Sequence, residues 1–210
     1  MLICTTKSET YEIPFRYKNE YGKKTIGVFG DSFAGLAKDA KYLYDTFTHE
    51  SSWIYYLGVL SNSSIDSWGV NGGSENDLAF ILQKNEINYD YSILIHTNPL
   101  RSTRITKNKI THLYKSLALI EILTRNKKNV LHVFWNVEHE VYKFSHKKYF
   151  MDSILKNHPN PMEVGVNVTT RDSTVNKNDQ LGGSCHLSNR GNLLLAIEIN
   201  KHLFSNDESI

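Results

Sequence analysis

Two short, almost wholly apolar runs, YSILIH at 91–96 and VLHVFW at 130–135, leave this chain few folds to choose from. Runs of this length and composition read as strands buried on both faces, and the helical spacing of Thr106 to Arg125 between them supplies a crossover. The alternation continues on either side. Ile26–Phe29 reads as a further strand, Phe33–Phe47 as a helix with Leu36, Ala40, Leu43 and Phe47 on one face, and Ser52–Leu60 as a second apolar helix. Ile65–Val70 is a short strand, Glu75–Gln83 a helix with Ser74 as N-cap, Lys143–Lys156 a helix, and SNRGNLLLAIEINKHLF a closing amphipathic helix. Strands and helices in alternation imply parallel strands joined by right-handed crossovers. The expected fold class is therefore α/β, a three-layer α/β/α sandwich with a mainly parallel central sheet.

No internal repeat or linker divides the sequence, and 210 residues with 40% hydrophobic content suffice for one good core. A single domain over 1–210 is the expectation, with its core at about 25–203 and a long functional loop over Asn157–Gly183. A formal net charge of +2 gives no reason to expect a nucleic-acid partner. The clusters Lys107-Asn108-Lys109, Asn126-Lys127-Lys128 and His146-Lys147-Lys148 read as solvated faces. Two cysteines, Cys4 and Cys185, in a chain this long do not suggest a disulfide scaffold. The first 24 residues lack the apolar stretch of a secretion signal, and no run is long enough to span a bilayer. Cytoplasmic residence without membrane association is the expectation. Carriage in a larger particle such as a virion would equally require no leader.

Polar residues interrupt the pattern at the expected carboxyl ends of strands, where an open parallel sheet presents its ligand crevice. They are Gly30-Asp31-Ser32, Gly72-Gly73-Ser74 and His96-Thr97-Asn98, with His186 in GGSCHLSNRG just before the last helix. Together they supply a hydroxyl nucleophile, an imidazole to take its proton and donors for an oxyanion. Each also has a plain structural reading. Ser32 or Asp31 could cap a helix, Gly72-Gly73 could form a tight turn, Asn98 before Pro99 could be a turn residue, and His186 a satisfied histidine.

The four blocks, GDS after the first strand, Gly72 after the second, Asn98 after the third and His186 near the end, resemble those of the SGNH (GDSL-type) hydrolases in order and spacing over residues 25–203. The resemblance implies a flavodoxin-like sandwich and a serine esterase or deacylase acting on a small acyl or O-acetyl ester, with a glycan as a plausible alcohol part. It implies Ser32 as nucleophile, His186 as general base, and an oxyanion hole made by the Ser32 and Gly72 N–H groups and the Asn98 amide. No cofactor or metal is required. The third block, His96-Thr97-Asn98-Pro99, departs from the family's Gly-x-Asn-Asp, and Gly183 stands where the family has an Asp three residues before the His. A Ser-His dyad, or a triad completed by Asp179 or the more distant Asp172, is then the expected machinery. The alternative is a catalytically weakened module that binds a carbohydrate or protein in the same cleft.

Other signatures fail. GVFGDSFAG lacks the dinucleotide-binding spacing, no phosphate-binding Gly-x-x-x-x-Gly-Lys-Ser/Thr loop occurs, and VEHEVYKFSHKK lacks the His-Glu-x-x-His spacing of a zinc helix.

Overall fold

The computed structural model describes residues 15–31, 33–34, 52–70, 73–85, 89–96, 109–134, 147–151, 187 and 189–204. Six strands form one sheet: β1 (Phe15–Tyr17), β2 (Lys24–Gly30), β3 (Ser63–Gly69), β4 (Tyr91–His96), β5 (Val130–Phe134) and β6 (Lys147–Phe150), in the order β1-β3-β2-β4-β5-β6. All neighbours run parallel except β1, which pairs antiparallel with β3 at one edge. The parallel part has the flavodoxin-like order, in which the chain leaves its first strand to one side and then returns to the other.

Helices cover both faces. One apolar cluster joins Ile26, Val28, Ile65, Ile93, Ile95, Leu131 and Val133 of the sheet to α1 (Trp53–Ser61) and α4 (Asn189–Phe204). The other joins Phe29, Trp68, Leu94, Val130 and Phe134 to α2 (Glu75–Lys84) and α3 (Lys109–Thr124). Alternate residues of each strand point to opposite clusters, so strands buried on both sides are apolar at most positions. This explains the continuous runs in β4 and β5. The structure thus has the expected three layers.

Local signals set the helix ends. Ser52 accepts the Tyr55 N–H at 3.2 Å and starts α1. Asn62, with φ 49°, stops it in the left-handed conformation that Asn tolerates. Ser74 and Asp77 form a capping box at α2, where Glu75 and Asp77 also oppose the positive end of the helix dipole.

One reading is corrected and one element is added. Residues 147–150 lie not in a helix but in β6, paired with Leu131–Phe134, because hydrogen bonding to an exposed parallel edge outweighs a weak local helical spacing. The segment before β2 contributes β1, whose Arg16 makes a two-pronged ion pair with Asp66 across the edge, at 2.6 and 3.0 Å. The expected helix at Phe33–Phe47 falls outside the described residues beyond Ala34, as does the long loop at Asn157–Gly183. No helix among the described residues is long and apolar enough to cross a membrane.

Candidate functional site

The strand order places a topological switch point between β2 and β4. Connections leave that point in opposite directions, and a crevice opens beyond the carboxyl ends of the two strands. Here those ends are Gly30 and His96. Gly30 pairs with Gly69 on one side and Ile95 on the other, so the ends of β2, β3 and β4 are nearly flush. The packing at Gly30 leaves no room for a side chain: a Cβ there would lie 2.6 Å from both the Cβ and the carbonyl oxygen of Ile95.

The turn after Gly30 is held from several directions. Asp31 is buried, and its Oδ1 accepts the Phe33 N–H at 2.9 Å, an Asx turn that spans position 32. The Ala34 N–H donates to the Asp31 carbonyl at 3.0 Å. Next, Trp53 Nε1–H donates to the Phe33 carbonyl at 2.8 Å, and the Ser67 hydroxyl donates to that of Ala34. The turn after β3 is tied to the same place. The Val70 N–H bonds the Gly30 carbonyl at 3.0 Å, and the Gly73 N–H bonds the Val70 carbonyl at 2.8 Å. A Cβ on Gly73 would lie 2.9 Å from the Val70 oxygen and 3.5 Å from the Asp31 Cα. Two candidate loops therefore meet backbone to backbone, an approach that a glycine permits.

A buried polar chain adjoins this junction. Glu75 Oε2 lies 3.0 Å from His96 Nδ1, and His96 Nε2 lies 2.8 Å from His132 Nδ1. All three side chains are buried. The His96 ring also stacks on Phe134, with centroids 4.5 Å apart, while His132 meets it edge to edge through their shared hydrogen bond, with centroids 5.0 Å apart. The sequence reading treated His96 only as a neighbour of Asn98 and passed over Glu75 and His132. The available signal was a histidine inside each of two otherwise apolar strands.

Ser32, Gly72, Asn98, Asp179 and His186 themselves lie outside the described residues, as do Asp172 and Gly183. Their described neighbours are Asp31, Phe33, Gly73, His96 and Leu187. The structure brings the flanks of the first two blocks together through the Val70–Gly30 bond, and the third through the pairing of Gly30 with Ile95. Leu187 is buried in the same apolar cluster as Ala34 and the start of α1, and its carbonyl accepts from Asn192 Nδ2 at 3.3 Å. Among the described residues, no group of three or more His, Cys, Asp and Glu could hold a metal ion.

No protein-family model matches the sequence, and no curated protein matches it. Solved structures do. A member of the lipolytic G-D-S-L family from Veillonella parvula aligns with 87% of this chain and 98% of its own, at 16% identity and a TM-score of 0.52. A carbohydrate acetylesterase family member from Sinorhizobium meliloti aligns over 87% and 98%, at 13% identity and a TM-score of 0.56. The fold is that of the GDSL-type (SGNH) hydrolases. A variant of an acetyl-xylooligosaccharide esterase from Geobacillus aligns over 89% of the present chain and 96% of its own, at 12% identity and a TM-score of 0.53. Fold alone does not assign chemistry.

Proposed function

We propose that the chain is a serine carboxylic-ester hydrolase that removes a small acyl or O-acetyl group, with a carbohydrate as the alcohol part of the ester. The observation carrying this reading is the junction at the switch point, where Gly30 and Asp31, which precede Ser32, lie against Val70 and Gly73, which flank the second block. Acetyl esters on sugars are favoured because two solved proteins of this fold are described as a carbohydrate acetylesterase and an acetyl-xylooligosaccharide esterase.

In the proposed reaction the Ser32 hydroxyl oxygen attacks the ester carbonyl while His186 takes its proton. The resulting oxyanion accepts from the Ser32 and Gly72 N–H groups and the Asn98 amide. Collapse expels the alcohol, which receives the proton from His186, and leaves an acyl-serine. Water, deprotonated by the same imidazole, then releases the acid and restores the hydroxyl.

A base imidazole must have its second nitrogen held, and Gly183 has no side chain to do so. A main-chain carbonyl within Asp179–Ser184 fills that role in this proposal, which makes the machinery a dyad of modest activity. The absent acid also favours a second reading, a weakened member that only binds carbohydrate or protein. Hydrolysis of 4-nitrophenyl acetate and of an acetylated oligosaccharide separates the two readings: saturable turnover supports the esterase, and binding without turnover supports the module. In the active protein, Asp179→Asn is expected to leave kcat within a few-fold. A loss of about 10⁴-fold would instead identify Asp179 as the acid of a displaced triad.

A further inference from the structure

The buried chain Glu75, His96 and His132 has no part in the reaction just described, yet it joins the two segments that carry the candidate oxyanion donors. Glu75 is the first residue of α2, three positions after Gly72, and His96 is the last of β4, two positions before Asn98. Between them stands one hydrogen bond of 3.0 Å, and His96 is braced from behind by the 2.8 Å bond to His132 on β5. Buried polar side chains contribute little net stability compared with an apolar filling of the same shape, but they fix geometry, because a partner displaced from its place leaves a costly unpaired group. The face of the His96 ring is also packed on Phe134, with centroids 4.5 Å apart and planes 14° from parallel, which restricts its rotation.

We propose that Glu75, His96 and His132 are positioning residues that set the start of α2, three residues after Gly72, against the end of β4, two residues before Asn98. This inference rests on the esterase reading only for its catalytic consequence. The oxyanion hole of a GDSL-type fold draws on both segments, so an error of about 1 Å between them lowers the rate by up to about 10²-fold.

The test compares Glu75→Ala with Glu75→Gln, whose amide oxygen still accepts the His96 N–H. In Glu75→Ala, kcat for an acetyl ester should fall about 10- to 10²-fold with KM within a few-fold. Glu75→Gln should recover most of the loss. In nitrogen-labelled protein, the Gly72 backbone N–H and the Asn98 side-chain amide, the latter assigned against Asn98→Ala, should shift in Glu75→Ala and return towards wild type in Glu75→Gln. Full kcat and unmoved resonances in Glu75→Ala overturn the positioning role and leave the esterase reading standing. A loss that only tracks the folded fraction, with Gln no better than Ala, overturns it as well. If the wild-type protein turns over no ester, the esterase reading fails and the two amide resonances alone decide the positioning role. If Glu75→Ala does not fold, His132→Leu removes the brace at similar bulk and is read by the same resonances, whose constancy would sink the proposal.

Discussion

Ser32→Ala is expected to abolish ester hydrolysis, with a loss of about 10⁴- to 10⁶-fold in kcat, the scale on which removal of a serine nucleophile acts. The fold should survive the change. The described residues on either side of position 32 are held by other groups: Asp31 Oδ1 holds the Phe33 N–H, Trp53 and Ser67 hold the carbonyls of Phe33 and Ala34, and the Val70 N–H, just past β3, holds that of Gly30. Thermal unfolding and circular dichroism should therefore match wild type while activity disappears. A fluorophosphonate should add one equivalent to wild-type protein, recovered on the peptide containing Ser32, and none to the variant. Activity persisting in Ser32→Ala, or label recovered on a different serine, would show that the turn serves another purpose.

Much of this architecture was readable in advance because burial on two faces leaves a strand few polar positions. YSILIH coincides with β4, and VLHVFW contains β5, for that reason. Helix starts were legible where a side chain does a backbone's work, as at Ser74 ahead of α2. The misses have physical causes. β6 carries two lysines in four residues and gains its conformation from pairing with β5, an interaction that local spacing does not encode. β1 is three residues long and is held at the edge by Arg16 against Asp66, fifty positions away. The same holds for Glu75, His96 and His132. Each was visible as a residue, but their association spans 21 and 36 positions and exists only once α2, β4 and β5 are packed together.

Asn98→Ala is expected to lower kcat about 10²- to 10³-fold, the usual effect of removing one oxyanion donor, with KM changed only a few-fold. The split follows from where the charge develops. A ground-state ester carbonyl makes a weak bond to the amide, whereas the tetrahedral oxyanion makes a strong one in a site shielded from water, so the lost interaction belongs to the transition state. The structure gives this residue its opportunity: β4 ends at His96 beside Gly30, at the switch point, and the buried Glu75 and His132 hold that end in place. Asn98→Asp supplies a discriminating control. A carboxylate of the same shape presents negative charge to the oxyanion and should be at least as damaging as alanine, while a residue needed only for a turn before Pro99 would tolerate Asp well, since Asp and Asn share that conformational preference. Steady-state kinetics of the two variants beside their unfolding curves separates the cases. Near-normal kcat in Asn98→Asp, or activity losses in both variants that merely follow a loss of folded protein, would return Asn98 to the role of a turn residue and leave the oxyanion to the backbone donors at Ser32 and Gly72.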